Sequence, residues 1–223
     1  MPDIEKRVRQ YALLQATIEV LRAGNIEAYL VGGPVRDLLL GRKKIVDFDF
    51  AVPTNGVAVA RQVANALGAA FYALDQARDT GRAIYEYQGK SGPAQMYLDF
   101  AAFRGPTLEA DLADRDFTIN AIALSLADTP QIIDPLHGHD DLKAGRLRAT
   151  SPDVFANDPV RVLRAVRLAA EFDFSIDRDT ENSLSASAHL LTNTSPERQR
   201  DEVVKLLNSP ANLKRMEKES KTK

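Results

Sequence analysis

Residues 29–52, YLVGGPVRDLLLGRKKIVDFDFAV, constrain this chain more than any other stretch. Tyr29, Leu30 and Val31 have the aromatic and branched character of a buried strand. Gly32 and Gly33 end it, because glycine takes φ > 0 freely and lets a ligand reach the backbone without a Cβ in the way. Pro34 suits the first position of a helix, where its missing N–H costs nothing. A helix starting directly after two glycines offers free N–H groups and a positive dipole end, a combination that suits phosphate. Asp47-Phe48-Asp49-Phe50-Ala51-Val52 then alternates as a strand does, so Asp47 and Asp49 share a face. Two adjacent carboxylates repel unless a cation lies between them. Hard divalent cations such as Mg²⁺ take oxygen from one or two carboxylates together with substrate phosphates. Either element alone is commonplace, the Gly-Gly as a turn and the Asp-x-Asp as a solvated strand face. In this order, with Arg36 and Asp37 between them, they point to nucleotidyl transfer with two metal ions.

The rest of the chain supplies a scaffold for such a site. Its 223 residues allow one or two domains, and the 44% hydrophobic fraction is that of a globular core. The absence of cysteine excludes disulfides, thiolate metal sites and cysteine nucleophiles. No apolar run approaches a membrane span. The charged start, MPDIEKRVRQ, lacks the apolar core of a secretory signal, so the expected location is the cytoplasm. The net charge of −2 gives no support for nucleic-acid binding. Basic residues gather locally instead, at Arg42-Lys43-Lys44, at Arg161, Arg164 and Arg167, and from Lys214 onward.

Hydrophobic spacing predicts one amphipathic helix over residues 4–23, closed by Gly24-Asn25. Thr54 or Asn55 is expected to cap a second helix running to about Leu67, with Gly68 closing it. Strands are expected over 70–74, 82–88 and 95–103. A strand–helix opening followed by a meander predicts a small α/β head with a mixed sheet. Residues 131–142 read as a strand, a turn and a short helix. Two further helices are expected over 179–191 and 195–207, the second capped at Ser195. Residues 211–223 are expected to fray.

Three segments place polar groups where chemistry needs them. Asp99 lies inside an apolar strand, where a carboxylate is costly to bury. It is either a third metal ligand beside Asp47 and Asp49 or an edge or solvent-facing residue. From Thr107 the pattern turns helical, and in RDFTINA, residues 115–121, Arg115 can pair with a triphosphate. Asp116 and Asn120 stand four apart, so on a helix they share a face and can hydrogen-bond a ribose. In NDPVRVLRAVRLAA, Val160, Leu163, Val166 and Ala170 form an apolar stripe, and Asp158, Arg161 and Arg164 follow at three-residue steps along one flank. An Asp can accept from an exocyclic amine and an Arg can donate to base nitrogens and carbonyls, so the pair can read a base edge. The alternative is a surface salt-bridge flank, worth about 0.3–0.5 kcal/mol per pair.

Residues 29–52 resemble the head signature of the class II tRNA nucleotidyltransferase and poly(A) polymerase family, in the polymerase-β superfamily. Residues 115–121 resemble its RRDFTxNA motif, with Asp114 in place of the first Arg. Residues 134–142 resemble its DPxxGxxDL connecting segment. Residues 157–168 resemble its neck motif EDxxRxLRxxRF, with Asn157 and Leu168 replacing the Glu and Phe. The resemblance covers about residues 27–207. It implies an α/β (α+β) fold, with a small mixed-sheet head over 1–135 and an all-helical neck over 136–223. It further implies Mg²⁺-dependent addition of CMP and/or AMP, from CTP and ATP, to the 3′ end of tRNA, with pyrophosphate release. In that reading Asp47, Asp49 and Asp99 are catalytic, and Asp47 and Asp49 hold the metals. The nucleotide falls to Gly32, Gly33, Arg36, Asp37, Arg115, Asp116, Asn120, Asp158, Arg161, Arg164 and Arg167. Gly33 and Arg36 would hold the triphosphate, and Asp158 with an Arg would template the base.

Family members usually continue into helical body and tail domains, whereas this chain stops near the end of the neck, as a truncated or a minimal protein. Only residues 105–114 separate the Asp99 strand from the Arg115 motif, and that short form resembles CC-adding members. Full CCA addition and poly(A) addition remain open, as does a non-catalytic nucleotide- or RNA-binding module of the same fold. A transferase acting on a small-molecule or protein acceptor is a further alternative, against which the neck motif counts.

Overall fold

Phe48 and Phe50 alternate with Asp47 and Asp49 along one strand, and that alternation decides which face of the sheet becomes core. The structure, a computed structural model, describes residues 2–89 and 92–208. Two compact units emerge, Met1–Ala113 with Asn120–Pro135, and Asp114–Ile119 with Leu136–Lys223.

The first unit runs α1 (Pro2–Val8), α2 (Ala12–Ala23), β1 (Tyr29–Val31), α3 (Gly33–Leu39), β2 (Asp47–Val52), α4 (Gly56–Leu67), β3 (Ala70–Asp75), β4 (Thr80–Gly89), β5 (Gly92–Ala102), α5 (Leu108–Ala113), β6 (Ala123–Ser125) and β7 (Ile132–Ile133). The strands form one mixed sheet in the order β3-β4-β5-β2-β1-β6-β7. β2 and β5 pair in parallel, and the other neighbours are antiparallel. Phe48, Phe50, Leu98 and Phe100 are buried, and the Phe50 and Phe100 rings stack with centroids 4.6 Å apart. Leu14, Ile18 and Leu21 of α2 and Val59, Ala60 and Val63 of α4 join the same core. Burying each of these valine, leucine, isoleucine and phenylalanine side chains contributes about 1.5–3 kcal/mol.

Two local expectations are corrected here. The helix expected over residues 4–23 is two helices, broken at Arg9–Tyr11. Tyr11 turns extended (φ −103°) and sets its ring edge-on to Phe48, with centroids 5.5 Å apart, so tertiary packing overrides an unbroken periodicity. Neither Thr54 nor Asn55 caps α4 with its side chain. Asp79, from the turn between β3 and β4, takes that place: its carboxylate accepts from Gly56 N–H (3.0 Å) and Val57 N–H (2.9 Å). Gly56 is required there, since a Cβ would meet the Asp79 carbonyl oxygen at 2.2 Å. The three expected strands are present as β3, β4 and β5.

The second unit runs α6 (Gly138–Ala144), β8 (Arg146–Leu147), α7 (Val154–Asn157), α8 (Arg161–Phe172), β9 (Ser175–Ile176), α9 (Arg178–Ser187), a 3₁₀ turn over Ala188–Asn193 and α10 (Pro196–Leu207). Among its described residues it is helical apart from the parallel ladder of β8 and β9 and a single bridge from Phe117 to Ala149. Ser195 caps α10 by accepting from Arg198 N–H, as its sequence implies. The buried residues along α8 are Val162, Ala165 and Leu168; of the expected Val160, Leu163, Val166 and Ala170, Val160 is buried just before the helix, Leu163 and Ala170 are half-buried and Val166 is exposed. The rotation follows from ion pairs that tie Arg164 and Arg167 to α10. The fraying expected for residues 211–223 and the basic run from Lys214 lie outside the described residues.

Candidate active site

The parallel pairing of β2 with β5 places Asp49 opposite Asp99 and Asp47 opposite Tyr97. Neighbouring residues in register share a face, so Asp47, Asp49 and Asp99 all lie on the face opposite the buried phenylalanines. On β4, Arg82 stands opposite Asp99. Its Nε donates to Oδ1 (2.7 Å) and its Nη2 to Oδ2 (2.6 Å), a two-pronged pair. The hydrogen bond to Asp99 raises the Arg82 pKa above its ordinary value; partial burial opposes this, and the charges of Asp99, Asp47 and Asp49 add to it. Arg82 carries no direct signal in the sequence, because its relevance depends on the β4–β5 register. Among the described residues no three carboxylate or imidazole side chains gather as a metal-holding group.

The Gly-Gly turn lies at the end of β1 in the same unit. Only Gly32 takes a positive φ (75°), while Gly33 is the first residue of α3 and Pro34 follows in its first turn. A Cβ at Gly33 would meet nothing nearer than the Arg36 guanidinium at 3.6 Å, so the space above this glycine is not filled by the protein's own packing. Arg36 is buried and oriented from two sides. Its Nε donates to Asp37 Oδ1 (2.9 Å) and its Nη1 to Asn120 Oδ1 (2.7 Å). The fold thus brings together Gly33, Arg36, Asp37 and Asn120, residues drawn from two separate motifs.

Residues 115–121 do not form the α-helix expected of them. They pass through a bend, a single bridge from Phe117 to Ala149 and a 3₁₀ turn over Thr118–Asn120, so Asp116 and Asn120 share no helical face. The turn is pinned by Asp141, which is fully buried and accepts from Thr118 Oγ1 (2.7 Å), Arg146 Nε (2.6 Å) and Arg148 Nε (2.8 Å). Burial pushes the Asp141 pKa up, but the hydrogen bonds from Thr118, Arg146 and Arg148 outweigh it and hold the group below its ordinary value. The Arg115 carbonyl accepts from the Thr150 hydroxyl, and the Asp116 carbonyl from Thr150 N–H (3.2 Å).

In the second unit α8 begins at Arg161, and Asp158 precedes it in an extended conformation. Asp158 Oδ2 accepts from Arg198 Nη2 (2.7 Å) and lies 3.9 Å from Arg161 Nε. Arg161 is buried and donates to the carbonyls of Val154 (3.4 Å) and Asp114 (3.2 Å). Arg164 donates to Asp116 Oδ2 (3.1 Å) and Glu202 Oε1 (3.1 Å). Arg167 donates to Glu202 Oε2 (2.6 Å) and Glu171 Oε2 (3.0 Å). Burial opposes the Arg164 charge, yet Asp116 and Glu202 more than offset it, and its pKa stands above the ordinary value. Burial likewise raises Glu202, but Arg167 and Arg164 bring it below its ordinary value. The flank is therefore a tertiary network with a buried carboxylate, and not a row of exposed (i, i+3) pairs. Glu202 and Arg198 escaped the sequence reading because charged residues on α10 look like a solvated helix face.

Comparison with known proteins fits this geometry. Residues 28–148 match the family model described as "Poly A polymerase head domain", and residues 173–218 match "Probable RNA and SrmB- binding site of polymerase A". The chain belongs to the poly(A) polymerase head-domain family. It is 40% identical over 185 residues to a CC-adding tRNA nucleotidyltransferase of Synechocystis sp., covering 82% of this chain and 42% of that protein. It is 41% identical over 189 residues to a CC-adding tRNA nucleotidyltransferase of Geobacter sulfurreducens, covering 85% and 42%. Among solved structures, a CCA-adding enzyme in complex with CTP aligns with a TM-score of 0.79 at 31% identity, over 97% of this chain and 54% of that one. A tRNA nucleotidyltransferase complexed with a primer tRNA and an incoming ATP analog aligns at 0.75 with 34% identity, over 92% and 60%. The chain spans about two fifths of the length of these curated relatives. Nucleotidyltransferases of this family generally use a divalent metal. Among the described residues, no helix is long and apolar enough to cross a membrane.

Proposed function

We propose that this chain carries the nucleotidyl-transfer part of an RNA 3′-end nucleotidyltransferase that adds CMP and/or AMP, from CTP and ATP, to the 3′ end of tRNA. The observation that carries the reading is the pair Asp47 and Asp49 on one face of β2, beside a Gly-Gly turn and an oriented Arg36. The acidic oxygens on this face suit a hard divalent cation. Asp47 and Asp49 would hold Mg²⁺ as a two-metal site, which when bound activates the RNA 3′-hydroxyl and offsets charge on the departing pyrophosphate.

The chain's own residues supply binding and orientation. Gly32 and Gly33 let a triphosphate approach the backbone. Arg36, fixed by Asp37 and Asn120, presents a guanidinium suited to phosphate oxygens. Arg115 adds a second cation for the triphosphate, and Asp116 and Asn120 offer polar groups for the ribose. Asp158 and Arg161 read the base edge. For that, Asp158 exchanges its bond to Arg198 for a base amine, while Arg164 and Arg167 stay anchored on Glu202. A tRNA substrate assigns the work to the cytoplasm.

CC addition is the favoured subdivision. Residues 105–114 leave no room for a long flexible loop, and α5 occupies most of them. Asp111, buried in α5, accepts from Arg104 N–H (3.1 Å) and closes the segment on itself. Both relatives named above also carry the CC-adding designation.

The test is extension of a tRNA lacking its CCA end, with Mg²⁺ and labelled CTP or ATP, singly and together. Two C additions that stop there with ATP present are expected, and Asp47→Ala abolishes them. A terminal A, or a growing A tract, moves the assignment to full CCA or to poly(A) synthesis. Asp158→Ala is expected to erase the preference among nucleotides while metal binding persists. Folded protein that extends no RNA with any nucleotide removes the catalytic reading for this chain.

A further inference from the structure

The sheet face that carries Asp47 and Asp49 extends well beyond them. Asp49 is paired with Asp99 on β5, Asp99 with Arg82 on β4, and Arg82 with Tyr72 on β3. Paired residues share a face, so Tyr72 stands on the carboxylate side of the sheet. Its neighbour Phe71 lies on the other side: a Cβ on Gly81 would meet the Phe71 ring at 3.4 Å and the Ala60 side chain of α4 at 2.7 Å. Phe71 packs against the core, with the central carbon of the Arg61 guanidinium 4.3 Å from its ring centroid. Tyr72 is 60% exposed, the most open of the large hydrophobic side chains among the described residues, and β3 is the end strand of the sheet. Neighbouring strands lie about 4.8 Å apart, which sets the Tyr72 Cα roughly 14 Å from that of Asp49.

The direction of the chemistry assigns this open ring an occupant. In an in-line displacement the RNA 3′-oxygen bonds to the α-phosphorus while that phosphorus loses its bond to pyrophosphate. Pyrophosphate leaves with the electron pair, and the hydroxyl proton passes to solvent. The attacking and leaving oxygens lie on opposite sides of the phosphorus. Gly33 and Arg36, the groups suited to the triphosphate, follow β1 on one side of β2. β5, β4 and β3 lie on its other side. The acceptor strand therefore approaches over β5, β4 and β3. An exposed ring there offers the stacking, tolerant of base identity, by which proteins hold single-stranded RNA. We propose that Tyr72 is a stacking platform for a base just behind the 3′ end of the RNA acceptor, a contact that sets RNA affinity on the first unit and takes no part in selecting the nucleotide. The proposal rests on the nucleotidyl-transfer reading, which supplies the side from which the RNA arrives.

The chain contains no tryptophan, so Tyr72→Trp places a single indole on this face. A tRNA lacking its CCA end is expected to quench the indole emission to saturation, and CTP alone to leave it unchanged. In primer extension, Tyr72→Ala is expected to raise the KM for the same tRNA about tenfold, with kcat and the KM for CTP within about twofold of the parent. Tyr72→Phe recovers the parent KM, because stacking uses the ring and not the hydroxyl. Tyr87, exposed on the opposite face of β4, is the control, and Tyr87→Ala leaves the KM for tRNA unchanged. A fold defect would lower kcat as well, so a selective rise in KM separates stacking from structural support. Emission that RNA does not move, or a parent-like KM for tRNA in Tyr72→Ala, overturns the proposal. Emission that changes with protein concentration and not with RNA makes the ring a contact between copies of the chain and overturns it equally. A parent that extends no RNA removes the nucleotidyl-transfer reading, and the emission titration, which needs no turnover, then decides whether Tyr72 holds RNA.

Discussion

On the sheet of the first unit, Asp47, Asp49 and Asp99 share a face with one described guanidinium in register, Arg82. In the second unit, Arg161, Arg164, Arg167 and Arg198 are met by Asp158, Asp116, Glu202 and Glu171. The first arrangement sets three carboxylates on one strand face, and the second interleaves carboxylates with guanidiniums around a buried glutamate. Gathered carboxylates cost stability and are kept where an external cation completes them. Balanced charges around a buried carboxylate hold long side chains in one geometry, as the proposed base-reading role requires.

Neutralising one carboxylate in each region tests this contrast most strongly. Asp49→Asn is expected to lower nucleotide transfer about 10³-fold, since a metal-held charge contributes several kcal/mol to the transition state. Its stability should fall by less than that of Glu202→Gln, because the change also removes a carboxylate facing another across the strand pair. Glu202→Gln should do the reverse in the folding balance. It leaves Arg164 and Arg167 without their shared carboxylate, and removing one partner of a buried pair costs about 3 kcal/mol. Urea unfolding and primer extension on the same two variants read both effects. If Asp49→Asn destabilised as much as Glu202→Gln, the two regions would not differ in kind.

How much of this was legible in the sequence follows the same divide. The carboxylate face was readable because Asp-x-Asp and the alternating phenylalanines obey a period of two, and strand periodicity survives folding. The Gly-Gly turn was readable because Pro34 marks the helix after it. Arg82 was hidden, since its pairing needs the β4–β5 register, and nothing local encodes which strand lies beside another. Glu202 was hidden for a related reason: it lies 38 residues from Arg164 in the chain. Residues 115–121 were misjudged as helical because apolar and polar residues alternate there at a spacing both helix and turn allow. Asp141, buried beneath three donors, decided for the turn.

Acidification separates the regions more gently. Glu202 and Asp141 both have folded-state pKa values lowered from ordinary carboxylate values of 4.5 and 3.8. A lowered folded value means that the stabilisation is complete above the ordinary pKa and is lost as pH falls through the folded one. Amide exchange protection in α8 and α10 should therefore decline as the pH drops below the ordinary carboxylate range. Glu202→Gln, which lacks one of the titrating groups, should show a flatter decline in those helices. An identical slope in the variant would remove Glu202 from the acid response.

The smallest effect expected is at Arg198, and it probes how the balanced region serves recognition. Arg198 is half exposed and its pair with Asp158 is partly solvated, so the bond contributes about 0.5 kcal/mol or less to folding. On the proposed base-reading role its importance lies in competition, because it occupies one of the Asp158 oxygens. Arg198→Ala should leave stability nearly unchanged and tighten CTP binding about twofold, the equivalent of that half kcal/mol. Calorimetric titration with CTP measures it directly. Weaker binding instead would show that Arg198 orients Asp158 toward the base, and the balance of charges in this unit would then be part of recognition itself.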